Sequence, residues 1–541
     1  MTSKLTTVLE LANNHPETVG ARLSEQAERF PDRVLLVTHR REITFGEMEQ
    51  AAIRAARGFE DLGVGKGDAV CQLMRNCEEI IINWMGLAKL GAIHAPLNYQ
   101  FSGAALTRLI NITHAKILVL DEELEESIVE IADELEHVQT IIYRTATAGF
   151  VPSPSLSRFS SLDLSRLYSC DEPPAPVSVH FSNPLMLLFT SGTTGPSKAV
   201  EISHRYALSL AAEYIEHWRL TDDDVFYSPY PLYHVDSSFA VFVNALHRGG
   251  KCVIVPKFSV TTFWDEIREH GATHTIFMGA VATFLFNQPP KPNDTDNPLK
   301  LVLMGPMPAF WRDFEKRFNV QTVGGYGATE LNMVCWANLD EPHRDDTYGK
   351  PCSHFDVCIG NDLDEPQPPG VSGEILIRPT RPFTMMTGYY KDAAATTRAF
   401  RNLWHHTGDS GYLDDQGFLH FIGRTKDSIR RRGENISAYE VEEVLYQNEQ
   451  IVECAVIGVP SEYTEEEVKA IIVLRLQSEY TPPEVVTWAT GRLPRYALPR
   501  YVEFVETLPH TDTDKVQKEG LKDNWRNPHT YDMDIGCYLD G

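Results

Sequence analysis

From about residue 20 the chain alternates two hydrophobic periods. Val34–Val37 is a short apolar run, and Phe45–Leu62 then repeats its apolar residues at helical spacing, so a strand followed by a helix is predicted. Ala69–Leu73 reads as a fully buried strand, Glu79–Leu90 as a helix and Lys116–Leu120 as another strand. Strand and helix alternating at this spacing build parallel sheets covered by helices, the α/β class. Residues 145–184, TATAGFVPSPSLSRFSSLDLSRLYSCDEPPAPVSVHFSNP, break the pattern, and their Ser and Pro content predicts a surface excursion. The alternation resumes from Leu185 to about Leu303, with strands at Lys251–Pro256 and Thr273–Met278. Between about Gly349 and Ile422 short strands and turns dominate, as in Gly373–Arg378 and Gly417–Ile422, which predicts a β-rich subdomain. After Arg424 the pattern starts afresh: helix Ala438–Tyr446, strands Val452–Val459 and Ala470–Leu476, helix Pro482–Ala489. The expected organisation is a large N-terminal domain, residues 1–423, of layered α/β subdomains with a β-rich subdomain, and a small α+β domain, residues 424–541.

Charge narrows the range of partners. With 75 Asp and Glu against 49 Lys and Arg, the formal net charge is −26, which argues against nucleic acid or an anionic membrane as the main partner. A phosphorylated small molecule is still allowed, because its site needs only a local positive field. Nine cysteines lack CxxC or metal-ligand spacing and read as reduced thiols. MTSKLTTVLELANNHPETVG has no apolar signal core, and no apolar run approaches the roughly 20 residues that span a bilayer. A cytoplasmic location and no transmembrane segment are expected.

The strongest chemical signal is LLFTSGTTGPSKAV (Leu187–Val200): an apolar strand running into Thr190-Ser191-Gly192-Thr193-Thr194-Gly195, with Lys198 beyond. Glycines let the backbone curl so that N–H groups converge on an anion, hydroxyls add donors, and Lys198 adds a mobile charge. The spacing is not that of a P-loop, so this is a phosphate-binding loop of another kind.

This loop resembles the signature of the adenylate-forming superfamily of acyl-CoA synthetases and adenylation domains, with Ala199 where a glycine is usual. Further segments resemble that superfamily in the expected order. Gly324-Gly325-Tyr326-Gly327-Ala328-Thr329-Glu330 is similar to its YGxTE motif. The resemblance implies that Tyr326 stacks on adenine, Thr329 donates to the α-phosphate, and Glu330 holds Mg²⁺ with phosphate oxygens as the other ligands. Gly305-Pro306 resembles the turn lining the adenine pocket, without its alanine. WHHTGDSGYLDDQGFLHFIGRTKDSIRRRGENIS (Trp404–Ser437) resembles the TGD and GRxKD motifs, which implies Asp409 on the ribose hydroxyls, Arg424 on ribose or phosphate, and Lys426 as the hinge of a rotating C-terminal domain.

Leu508-Pro509-His510-Thr511-Asp512-Thr513-Asp514-Lys515 resembles the motif of the catalytic lysine, with His510 and Asp514 as departures, so Lys515 is expected at the α-phosphate. Arg432, Gly433 and Glu434 lie where the family presents its pantetheine tunnel. RRRGENIS, IGVPSEYTEEEVKA and PRYVEFVETLP are especially similar to the carnitine/crotonobetaine-CoA ligase branch. Pro231-Leu232-Tyr233-His234-Val235-Asp236 resembles the segment that closes over the acyl carboxylate, with His234 near the carbonyl or else a hydrogen-bonded core histidine. Asp236 has two readings: a partner for a cationic acid such as a betaine, or an N-cap for a helix at Ser237–Ala245. Met278, Gly279, Ala280, Gly324 and Asn332 are expected to line the same pocket.

The resulting expectation is an ATP-dependent acyl-CoA ligase using Mg²⁺ and coenzyme A. A ligase loading a carrier protein's phosphopantetheine and an impaired nucleotide-binding homologue are the alternatives. The acid is not legible. Nor is the oligomeric state, for which a homodimer is one reading.

Overall fold

A computed structural model describes residues 17–190, 197–278, 281–305, 307–308, 310–339, 344, 347–424, 428–431, 434–461, 466–476, 478–510 and 516–539. Two largely parallel sheets form the body. One runs Gly388–Tyr389, Lys198–Ser203, Pro184–Thr190, Ile93–Pro96, Ala69–Leu73, Ile117–Asp121, Thr140–Arg144 and Ser160–Asp163. The other runs Gln321–Val323, Leu301–Gly305, His274–Met278, Val225–Ser228, Lys251–Ile254, Val34–Val37 and Glu42–Thr44. Strands such as Ala69–Leu73 are buried along their whole length, as expected for a parallel sheet covered on both faces.

Helices Val19–Arg29, Phe45–Asp61, Glu78–Leu90 and His204–Trp218 share the core between the sheets, and further helices cover each outer face. The helix at Phe45 begins where Thr44 and Glu47 form a reciprocal capping box, the Glu47 N–H donating to Thr44 Oγ1 at 3.2 Å and the Thr44 N–H to Glu47 Oε2 at 2.8 Å.

The 145–184 segment departs from the expected surface excursion. Ser160–Asp163 adds a parallel edge strand beside Thr140–Arg144, and Leu156, Phe159, Leu164 and Leu167 are buried. Burial of each such side chain contributes about 1.5–3 kcal/mol, so four of them hold the segment against the body despite its polar composition. The fit is tight at one point: a Cβ on Gly58 would lie 2.4 Å from the Leu167 carbonyl oxygen. Apolar residues spaced i, i+3 within a Ser-rich background carried this signal.

The β-rich subdomain is antiparallel, with Phe355–Gly360, Gly373–Pro379, Trp404–Leu413, Phe400–Arg401 and Leu419–Arg424 in one sheet. Beyond it lie the hairpin Ser428–Arg431/Glu434–Ser437, helix Ala438–Tyr446, and a sheet of Ile451–Pro460, Glu466–Leu474, Tyr501–Phe504, Thr530–Asp532 and Cys537–Tyr538. That last domain has its own apolar core, built on Val441, Val456, Val468, Ile472 and Val502. Among the described residues no helix is long and apolar enough to cross a membrane. All nine cysteines are free thiols.

Candidate active site

Three elements converge on one acidic centre. Thr190 ends one strand and Lys198 begins the next, and the two residues pair directly across an antiparallel ladder. Ser191, Gly192, Thr193, Thr194 and Gly195 lie outside the described residues. Thr190 Oγ1 donates to Glu330 Oε1 at 3.5 Å, and the Tyr389 hydroxyl donates to the same oxygen at 3.1 Å. Lys198 Nζ sits 4.6 Å from the centre of the Tyr389 ring, a cation–π contact that keeps the ammonium beside the loop's mouth. Burial and the adjacent Glu330 charge push the Tyr389 phenol above its ordinary range, so it stays a donor.

Glu330 owes its position to the hairpin of Gly325–Ala328 and Asn332–Trp336, whose turn carries Thr329 and Glu330. The Leu331 N–H closes that turn onto the Ala328 carbonyl at 2.9 Å, the Tyr206 hydroxyl donates to the Thr329 carbonyl at 3.0 Å, and the Met386 N–H donates to the Glu330 carbonyl at 3.0 Å. Asn332 adopts φ 78°, a left-handed conformation that Asn tolerates better than most residues. Its amide donates towards the Tyr206 carbonyl, Ser209 Oγ and the Thr384 carbonyl at 3.0–3.3 Å. Asn332 thus fixes the hairpin against the helix of Tyr206, and its side-chain donors are turned to protein groups.

On the other side of the hairpin, Tyr326, Asp409 and Arg424 form a single polar cluster. The Tyr326 hydroxyl donates to Asp409 Oδ2 at 2.6 Å, and Arg424 Nε lies 2.9 Å from Asp409 Oδ1. Asp409 and Arg424 are direct cross-strand neighbours, so the ladder itself places the charges together. Asp409 is buried while the Arg424 side chain is 43% exposed, so the guanidinium contact is partly screened and the phenol is the stronger fixed partner. Burial, followed by the Asp409 charge, drives the Tyr326 phenol well above its ordinary value and keeps its proton in place. Gly305 ends its strand beside Met278, and Gly324 lies next to Met307, so both predicted pocket glycines border the same hairpin. Pro306, Gly279 and Ala280 fall outside the described residues, as does the side chain of Met278.

The segment Tyr233–Asp236 leads into a helix that differs from the expected one. Asp236–Val243 is a π-helix, followed by a short α-helix at Asn244–Arg248, and no side chain caps its start. The N-cap reading of Asp236 is therefore corrected: its Oδ2 lies 2.9 Å from His234 Nδ1, on a neighbouring turn rather than on a free helix amide. The π-helix begins at Asp236 itself, and π turns occur often at functional sites. The Asp236 charge is felt at Tyr206 and Tyr214, whose buried phenols it helps to push upward, burial being the larger cause. The Tyr233 ring packs edge-on to Tyr99 at 5.7 Å.

In the C-terminal domain, Arg431 turns inward. Its Nε lies 2.5 Å from Glu467 Oε2, and its NH1 donates to the Tyr496 and Leu498 carbonyls at 2.9 Å each. Arg432, Gly433 and Lys426 lie outside the described residues, and Glu434 is described only as part of its strand. Lys515 is also outside them, but the base of its segment is held: His510 pairs with Val516 in a β-bridge, and His510 Nε2 lies 2.5 Å from Glu453 Oε1.

Sequence reasoning missed Tyr389, Tyr206 and Glu374. Tyrosines carry no motif-level signature in an apolar context, and Glu374 belongs to a strand read only as β-rich.

Comparison with known proteins agrees with this geometry. Residues 23–390 match the model of the AMP-binding enzyme family, and residues 440–515 match that of the AMP-binding enzyme C-terminal domain. A crotonobetaine/carnitine–CoA ligase of Salmonella enteritidis PT4 is 30% identical over 492 residues, covering 89% of this chain and 93% of its own. An anthranilate CoA ligase solved with anthranoyl-AMP superposes with a TM-score of 0.84 at 22% identity, covering 95% of this chain and 98% of its own. ATP-bound MatB of Rhodopseudomonas palustris gives 0.83 at 24% identity, covering 95% and 99%. With the family model spanning more than half of its length, and Glu330 beside the phosphate-loop strands and the Asp409–Arg424 pair flanking one hairpin, this chain belongs to the AMP-binding enzyme family.

Proposed function

We propose that the protein is an AMP-forming acyl-CoA ligase. The observation that carries this reading is the pairing of two polar centres on one hairpin: Glu330 at the mouth of the Thr190–Lys198 connection, and Asp409 with Tyr326 and Arg424 on the other side. Asp409 takes the ribose hydroxyls, since a carboxylate accepts two such hydrogen bonds. Lys198 and the loop hydroxyls take the β- and γ-phosphates. Glu330, with Thr190 and Tyr389 on one of its oxygens, offers its other oxygen to Mg²⁺. One carboxylate plus substrate phosphates and waters suits that ion. Mg²⁺ there would neutralise charge on the phosphate oxygens.

The substrate carboxylate attacks the α-phosphorus, pyrophosphate leaves, and an acyl-adenylate remains. Lys515, on a segment closed at its base by His510 and Val516, supplies the positive charge for this half-reaction. The small domain then turns about Lys426, and Gly433 with Arg432 and Glu434 meets the pantetheine arm. The coenzyme A thiol attacks the acyl carbon and AMP leaves. His234 and Asp236 face the acyl group. The name of the 30% identical relative, together with a buried carboxylate at Asp236, puts a betaine acid first among candidate substrates. The test is pyrophosphate exchange across a panel of carboxylic acids, followed by AMP release with free coenzyme A or a holo carrier protein. Exchange without turnover on free coenzyme A would overturn the acceptor assignment, and absence of exchange with every acid would overturn the reading as a whole.

A further inference from the structure

The Asp409 carboxylate does not reach its position through the ladder alone. In the sheet, Glu374 pairs with Ser410 while Leu376 pairs with His406, so four residue steps on the Trp404–Leu413 strand oppose two on the Gly373–Pro379 strand. Thr407, Gly408 and Asp409 thus stand opposite Ile375 alone, a surplus of two residues that bulges out, and a bulge is a means of re-aiming a side chain. Its backbone N–H groups lose their ladder partners and need others.

Glu374 supplies one. The Gly408 N–H donates to Glu374 Oε1 at 3.0 Å, and His406 Nδ1 lies 2.8 Å from Glu374 Oε2, so a single carboxylate spans the bulge. Thr407 completes the frame: its hydroxyl donates to the Ile375 carbonyl at 2.7 Å and accepts the Asp409 N–H at 3.0 Å, while its own carbonyl takes Arg424 NH1 at 3.3 Å. Gly408 sits at φ +70°, where an L side chain would be strained, so the turn requires glycine, and glycine's conformational freedom leaves its geometry to be fixed by its hydrogen-bond partners. A charged acceptor on its N–H restrains such a turn about twice as strongly as a neutral one.

We propose that Glu374 is a positioning residue of the nucleotide site, fixing the 407–409 bulge so that Asp409 meets the ribose. The proposal rests on the reading of Asp409 as the ribose acceptor, and the experiment separates the two. Affinities for ATP and 2′,3′-dideoxy-ATP are measured by calorimetry on the intact protein and on Glu374→Ala and Glu374→Gln, with thermal unfolding in parallel. Wild type is expected to favour ATP. Glu374→Ala is expected to weaken ATP about tenfold while leaving the dideoxy nucleotide within about twofold, so that discrimination collapses. Glu374→Gln keeps an oxygen acceptor for Gly408 and should recover most of it. A wild type that binds the two nucleotides equally overturns both readings. A wild type that discriminates beside a Glu374→Ala variant that discriminates equally well overturns the Glu374 proposal alone, whatever its melting temperature.

Discussion

Removing the Tyr326 hydroxyl tests the ribose cluster most directly. Tyr326→Phe keeps the buried ring, which packs near Phe421 at 6.2 Å, and deletes only the 2.6 Å bond to Asp409. A hydrogen bond to an ionised acceptor contributes about 1.5–3 kcal/mol, and the Arg424 contact, already present and partly exposed, offsets little of its loss. The loss is therefore about 1.5–3 kcal/mol in the free protein. It reappears in binding because the released carboxylate is no longer aimed, and about 1.4 kcal/mol corresponds to a tenfold weaker affinity for ATP and AMP. Since the ribose lies away from the reacting phosphorus, kcat for pyrophosphate exchange should stay within about threefold while KM for ATP rises. Calorimetric AMP binding and urea unfolding measure the two parts. A variant with lowered stability and wild-type AMP affinity would refute the reasoning, because the Tyr326–Asp409 bond would then serve the fold alone.

Acid should unfold this protein early: burial holds His94, His204 and His274 neutral with pKa values down to about 3 and His405 down to about 4, against the ordinary 6.5. The unfolded chain takes up those protons first, so this stability is complete above pH 6.5 and lost as pH falls, by about 5 kcal/mol per unit for four residues between about pH 5.5 and 4.5; a circular-dichroism titration with stability unchanged down to pH 4.5 would contradict this. Gly58→Ala should cost about 1–3 kcal/mol in urea unfolding, because the new methyl meets the Leu167 carbonyl and the 145–184 segment must shift; an unchanged midpoint would show that the segment yields freely. Lys515→Ala should slow acyl-adenylate formation by about 10²–10³ and leave thioester formation from supplied acyl-adenylate nearly intact, read by separate half-reaction assays; equal loss in both halves would remove Lys515 from its role.

Much of the architecture was legible because its signals are local. Ala69–Leu73, Ala438–Tyr446 and Pro482–Ala489 were expected at the residues where they form, since continuous apolar runs and helical periods depend on neighbours in sequence. The Ser- and Pro-rich 145–184 stretch was misjudged because its four buried apolar residues count only once the sheet edge is there to receive them. The π-helix at Asp236 was invisible for a related reason: its apolar composition suits an α-helix equally well, and the wider turn follows from packing. Within the site, Thr190, Glu330, Asp409 and Arg424 could be named from the motifs' resemblance to the family, and the structure pairs Thr190 with Glu330 and Asp409 with Arg424. What spacing could not reveal was the support beneath them. Glu374, Thr407, Tyr206 and Tyr389 act through a register shift and through partners more than 30 residues away in most cases.

Arg424 holds Asp409 at the last residue of its strand, and the chain passes from there into the segment containing Lys426. Just beyond, Ser437 donates to the Ile422 carbonyl, and the Tyr348 and Tyr439 hydroxyls lie 3.3 Å apart across the same junction. On the proposed rotation about Lys426, with Asp409 and Arg424 at the ribose, nucleotide occupancy and the orientation of the C-terminal domain would be linked equilibria. By reciprocity, any ligand that tightens the Arg424–Asp409 contact biases the domain by the same factor with which the domain biases that ligand. On that proposal AMP departure favours the return of the domain by the same factor, so release and resetting are coupled.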